Sequence, residues 1–182
     1  MEYFERFYNS ALRFLSFRPR SEREVRDYLI KASRKKASAI RHSGEEDRWN
    51  GGDSGHGQND GIESVIEKVI EKLKAQNLIN DEEFAKWWIE SRTTFKPRSL
   101  RLIKIELRQK GIDSETIDSL QLTVNNDLEQ AKKLVEKRIG RFRGKFGMTR
   151  EEIYQKMGRH LASKGFDWDI IKKSIDYVYE TM

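Results

Sequence analysis

Six cations, Lys96, Arg98, Arg101, Lys104, Arg108 and Lys110, stand against one acid, Glu106, in the stretch from Phe95 to Ile112. Fixed positive groups of this kind bind rather than break bonds. A guanidinium offers a planar fork to a carboxylate or phosphate, and an ammonium offers a compact point charge. A cationic helix face is often only a solvated one. The shortage of compensating acid here points instead to a polyanion or an acidic protein surface. Weaker versions of the bias recur upstream in Arg20, Arg23 and Arg26, and downstream in Arg150, Lys156 and Arg159.

Bond-making chemistry has no comparable signature. The chain has no Cys, which removes thiolate chemistry and disulfides. Ser, His and Asp show no triad motif, and the acids are scattered over helix faces. Glu82-Glu83 and Glu151-Glu152 are most simply first-turn acids that complement helix N-termini. His160 reads as a surface histidine. The Gly-rich stretch lacks the Gly-Lys-Ser/Thr of a phosphate loop and any regular metal-ligand spacing. A catalytic role, a cofactor and a metal are therefore not expected.

The elements that carry these cations follow from periodicity. Pro97 reads as a first helical position and Gly111 as the C′ residue where that helix stops. Leu100, Ile103 and Leu107 form the apolar stripe between them. Pro-Arg-Ser recurs at Pro19-Arg20-Ser21, and Leu29 lies as far from Pro19 as Leu107 does from Pro97. Downstream, Leu161, Lys164, Gly165 and Phe166 match Leu107, Lys110, Gly111 and Ile112. Three related units at wide spacing mark an internal repeat.

Around those central helices the three-four spacing continues. Phe4, Phe7, Tyr8, Ala11, Leu12 and Leu15 predict an opening helix. Ile62, Val65, Ile66, Val69, Ile70 and Leu73 predict another. Asn80 or Asp81 should cap a helix through about Arg92, with Trp87 and Trp88 in the core or between repeats, as for Trp168. Asp113 or Ser114 should cap a short helix. A helix from about Asp127 should end in a basic tail of Lys137, Arg138, Arg141, Arg143 and Lys145. Thr149 with Glu152 is a capping-box pair, and Asp167 or Trp168 opens the last helix. Residues 43–61 hold six of the twelve Gly and are otherwise rich in Asn, Asp and Ser; they read as a disordered insertion in which Trp49 has no core to join.

The expected fold is all-α: three tandem three-helix repeats, at 1–79, 80–125 and 126–182, in an elongated, curved array of either hand. The 182 residues are 36 % apolar and 36 % charged, with net charge +6, which suits small helical units with much exposed surface better than one thick core. No apolar run is long enough to span a bilayer and the N-terminus lacks a signal-peptide pattern, so a cytoplasmic monomer without membrane contact is expected.

Leu78-Ile79-Asn80-Asp81-Glu82-Glu83-Phe84-Ala85, then Ser91-Arg92, then Leu107-Arg108-Gln109-Lys110-Gly111-Ile112, form an ordered set that resembles the RecX family of recombinase regulators. Ser163-Lys164-Gly165-Phe166 fits the same pattern, and the resemblance covers nearly the whole chain outside the insertion. It implies tandem three-helix repeats that bind the RecA filament on DNA and inhibit its ATP hydrolysis and strand exchange in recombination and DNA repair. Contact with DNA would be direct or through RecA. A basic helical protein that competes for DNA is the alternative.

Overall fold

The computed structural model describes residues 2–43, 57–120, 125–144 and 148–181. Among them are nine helices and no strand: α1 (Glu2–Leu15), α2 (Glu22–Ser43), α3 (Gly57–Ala75), α4 (Asp81–Thr94), α5 (Leu100–Gln109), α6 (Ser114–Ser119), α7 (Asn125–Gly144), α8 (Arg150–Ala162) and α9 (Trp168–Thr181). The chain divides into two compact units, Met1–Phe84 and Ala85–Met182. The edges of the Gly-rich stretch are helical, since Ser43 closes α2 and residues 57–61 open α3. Its remainder, including Trp49, lies outside the described residues.

In the first unit α1, α2 and α3 pack on one another. Ala11, Val25, Leu29, Ile66, Val69, Ile70, Leu73 and Ile79 are buried at their centre. These are the positions that the helical periodicity brings to one face of each element. Phe14 stacks on Tyr28 with ring centroids 4.2 Å apart, and the Arg20 guanidinium covers the other end of the group, 4.0 Å from the Phe14 centroid. Like charges at Glu63, Glu67 and Glu71 do not favour α3 on their own. The helix is held instead by its buried stripe and by Arg26, which forks onto the Glu67 carboxylate from α2.

In the second unit α7 lies along α9, and α8 closes the group. Ala131, Val135, Ile139, Phe142, Ile153, Met157, Leu161, Phe166, Ile171, Ile175 and Val178 form its core. Trp88, Ile103, Leu107 and Ile117 are buried in the preceding helices and Ile112 in the connection between α5 and α6, while Leu100 is only half-buried. Trp168 does not join the core. It is 62 % exposed at the start of α9, touches Tyr154 edge-on and lies with one edge of its ring against Gly158.

Helix ends follow a shared design. The Ile112 N–H donates to Leu107 C=O and the Gly111 N–H to Arg108 C=O, a Schellman closure with Gly111 at φ +87°. Phe166 to Leu161 and Gly165 to Ala162 repeat it on α8, with Gly165 at φ +85°. On α3 the same pair of bonds is made by Leu78 and Asn77, and Asn77 takes the left-handed conformation that asparagine tolerates.

Besides α3, which opens inside the Gly-rich stretch, one helix start differs from the sequence expectation. Pro97 is not the first helical residue. Ser99 is the N-cap and Leu100 the first residue, which puts Pro97 two positions before the cap. A Ser hydroxyl can accept a free amide at the cap, so it takes the position that stabilises most. Asn80, Asp113 and Thr149 cap α4, α6 and α8, the last with the full capping box to Glu152.

Candidate interaction surface

The two Pro-Arg-Ser segments build the same corner. In the first, the Ser21 hydroxyl accepts from Glu24 N–H at 3.2 Å, and Glu22 N–H donates to Asp81 Oδ1 at 2.8 Å. In the second, the Ser99 hydroxyl accepts from Leu102 N–H at 3.3 Å, and Leu100 N–H donates to Asp127 Oδ1 at 2.8 Å. Each helix start is thus completed by an aspartate from the first turn of a later helix. Ser99 N–H also donates to Lys164 C=O at 3.0 Å, tying α5 to the end of α8. Ser99 is 1 % exposed and Asp127 8 %. Burial pushes the Asp127 carboxyl above its usual range; the Leu100 N–H opposes this and Asp167 adds to it.

The corners position the cations. On α5, Arg101 and Arg108 are exposed and Lys104 is half-exposed. Arg101 approaches Asp167 at 3.9 Å and Lys104 reaches Asp118 at 3.2 Å, while Arg108 makes no ion pair among the described residues. Neighbouring elements therefore supply acids that the helix itself lacks. Exposed pairs of this kind are worth about 0–1 kcal/mol and leave the cations exchangeable.

Arg98 behaves differently. It bonds the Glu106 carboxylate, which also accepts from Arg92 Nε at 2.6 Å and from the Trp88 indole N–H at 2.9 Å. Arg92 lies 4.1 Å and Lys110 5.2 Å from the Trp88 ring centroid. The one acid of α5 is turned inward as a hub, so Arg98 belongs to the scaffold.

The other expected cations divide the same way. Arg26 is held by Glu67 and Glu22, and its bond to Glu67 raises its pKa further. Arg20 is stacked on Phe14, whereas Arg23 is exposed. On α8, Arg150 lies 3.8 Å from Asp176 and over Tyr179, and Lys156 lies over Phe142. Arg159 is exposed. The three sets stay on separate helices.

A second basic feature was not expected. Thr93 to Pro97, the α7 residues Gln130, Lys133, Leu134, Lys137 and Arg138, His160 of α8 and Lys164 just beyond its end line a cleft of about 550 Å³ within the second unit. Among the described residues its lining has five cations and no acid. None of Lys96, Lys133, Lys137, Arg138 and Lys164 makes an ion pair among the described residues. His160 is half-buried, its Nε2 has no hydrogen-bond partner, and its pKa is lowered by burial, then by Arg138 and Lys164. It is therefore a neutral imidazole at pH 7 and not the surface histidine expected. The signal was present in sequence as two same-face pairs, Lys133 with Lys137 and His160 with Lys164, each four residues apart. The α7 cations beyond Arg138 have no described side chains.

Among the described residues no group of three or more His, Cys, Asp or Glu is placed to hold a metal, and no helix is long and apolar enough to cross a membrane. Helices in successive groups, aspartate-closed corners and outward cations define a modular helical protein with a basic surface. Family models place the modules: the first three-helix domain of RecX matches residues 8–32, the second 80–119 and the third 125–175. A regulatory protein RecX from Prosthecochloris aestuarii is 32 % identical over 114 residues, which cover 63 % of this chain and 72 % of that relative. One from Clostridioides difficile is 35 % identical over 116 residues, 63 % of this chain and 53 % of that relative. A third, from Halalkalibacterium halodurans, is 29 % identical over 93 % of this chain and 53 % of its own length. The chain belongs to the RecX family, and it spans about half the length of several of the curated relatives it matches. The fold is likewise similar to the crystal structure of RecX from Lactobacillus salivarius, with TM-score 0.64 and 24 % identity over 97 % of this chain and 96 % of that one.

Proposed function

We propose that this protein is a regulator that binds the RecA recombinase filament on DNA and restrains its ATP hydrolysis and strand exchange, without chemistry of its own. Membership of a family whose relatives are named as regulatory proteins supports the regulatory role. The observation that carries the contact surface is α5, where Arg101 and Arg108 point outward and the only acid of the helix is turned inward. A partner carboxylate or phosphate need displace only weak, exposed pairs to reach them. Arg23 and Arg159, both exposed, assist from other modules, and linked weak contacts add through effective concentration.

The test is Arg101→Glu with Arg108→Glu. Both side chains are exposed, so helicity should be unchanged. Inhibition of the DNA-dependent ATP hydrolysis of RecA should fall at least tenfold. Full inhibition by the folded double variant would move the contact surface away from α5.

A further inference from the structure

Phe17-Arg18-Pro19-Arg20-Ser21 and Phe95-Lys96-Pro97-Arg98-Ser99 share one register, with an aromatic ring four residues ahead of each capping serine. Each phenylalanine stands just past a helix end, α1 in the first unit and α4 in the second. From there the backbone follows the same course in both: a turn, a bend and a non-helical run into the cap. Phe17 is 82 % exposed and Phe95 79 %, more than any other large apolar side chain among the described residues. Single exposed apolar residues scattered over a surface are ordinary. These two are not scattered, because they recur at one position of a repeat. Neither ring joins a core, so folding does not account for them.

Both rings stand on ordered backbone. The Phe95 N–H donates to Ser91 C=O at 3.1 Å, and just ahead of Phe17 the Ser16 N–H donates to Leu12 C=O at 3.0 Å. Two residues beyond each ring a proline fixes φ. The Arg18 guanidinium donates to Pro19 C=O and to Glu24, and Arg98 is held by Glu106. A side chain presented this way loses little freedom on binding. The charges beside the rings differ: Arg18 is paired with Glu24, whereas Lys96 makes no ion pair among the described residues. What the two corners share outwardly is therefore the ring, and its complement is an apolar pocket. Aromatic side chains seated in such pockets dominate the centres of protein interfaces. The same anchor carried twice suits a partner that offers the same pocket more than once, which is an assembly of identical subunits. Two such contacts on one chain add through effective concentration.

We infer that Phe17 and Phe95 are equivalent hydrophobic anchors, each seated in the same apolar pocket on a different subunit of a homopolymeric protein partner. This rests on the recombinase reading, in which that partner is the RecA filament, and adds an uncharged contact to the cationic one on α5.

The test is a fluorescence-anisotropy titration of the labelled full chain with RecA filaments assembled on DNA, at low and high salt. Phe17→Ala and Phe95→Ala should each weaken binding about ten- to 100-fold, the worth of burying a phenylalanine side chain. The loss should be the same at both salt concentrations, because no charge is removed. Phe17→Leu with Phe95→Leu should recover most of it, since leucine also fills an apolar pocket. Both positions are exposed, and circular dichroism checks that the fold is intact. Wild-type affinity in both alanine variants would overturn the anchors and leave the recombinase reading standing. Wild-type protein without affinity for the filament would overturn both. A loss at only one position would overturn their equivalence. Leucine variants as weak as the alanine ones, or an equal loss of affinity for bare DNA, would assign the rings to stacking on bases and overturn the apolar pocket.

Discussion

At Ser21 and Ser99 the same three groups meet: a buried serine hydroxyl, the free amide that follows it, and an aspartate from a later helix. Around Ser21, carboxylates crowd the helix start. Glu24 takes Arg18, Glu22 takes Arg26 and Lys74, and the bond from Lys74 holds the Glu22 carboxyl below its usual range. Around Ser99 there is no acid in the first turn of α5, and the single carboxylate at the amide, Asp127, is buried. One hydrogen-bond pattern thus serves two electrostatic settings. Where local acids neutralise most of the cations the corner is chiefly scaffold and leaves Arg23 exposed; where they are missing, the scaffold presents more positive charge outward.

The largest expected effect separates the corners at their packing. Gly165 sits against the second corner only: a Cβ there would lie 2.7 Å from Ser99 Oγ and 2.9 Å from Leu102 Cβ, at a φ that side chains rarely adopt. Gly165→Ala should cost about 2–4 kcal/mol, from left-handed strain together with overpacking. Urea denaturation measures it, and an unchanged midpoint would show that α5 and α8 part freely. Next are the aspartates. Asp127→Ala strands the partly buried Leu100 amide and should cost about 1–3 kcal/mol, and Asp127→Asn, which keeps an acceptor, should recover most of it. Asp81→Ala should behave likewise at the first corner. If only one aspartate matters, the two corners are not equivalent.

The pH response should carry opposite signs. Asp127 has a raised folded pKa, so its contribution is fully present below the unfolded aspartate value and is lost as pH rises through the folded value. Glu22 has a lowered folded pKa, so its contribution is present above the unfolded glutamate value and is lost as pH falls through the folded value. Thermal melts between pH 4 and pH 7 should therefore show Asp127→Asn gaining on wild type as pH rises. Glu22→Gln should lose most relative to wild type near neutrality and converge with it in acid. The smallest effect is Arg26→Met, about 0.2–1 kcal/mol and shrinking with added salt, because its pairs are partly exposed.

What could be read from sequence was what neighbouring residues decide. The stripes of α1, α3 and α5, the stop at Gly111 and the Thr149–Glu152 box all lie within a few residues of their partners, and spacing alone reveals them. The aspartate closures span 59 and 27 residues, and nothing near Ser21 or Ser99 announces them. A helix start at Pro97 lies three residues too early, because proline is common at a first helical position while the cap that sets the start is Ser99, two residues on. The cleft escaped for the same reason as the closures. Lys137 and Arg138 read as part of a basic tail, Lys96 as part of the α5 face and His160 as surface, and only the packing of α7 with α8 brings them to one place.

Lys164 takes part in two of these features at once. Its carbonyl receives the Ser99 amide, and its side chain lines the cleft. The backbone that anchors one wall of the cleft is therefore the backbone that fastens α5 to α8. The Ser99 amide, which exchanges its hydrogen with solvent only when that fastening opens, is therefore a clock for the opening of the cleft wall.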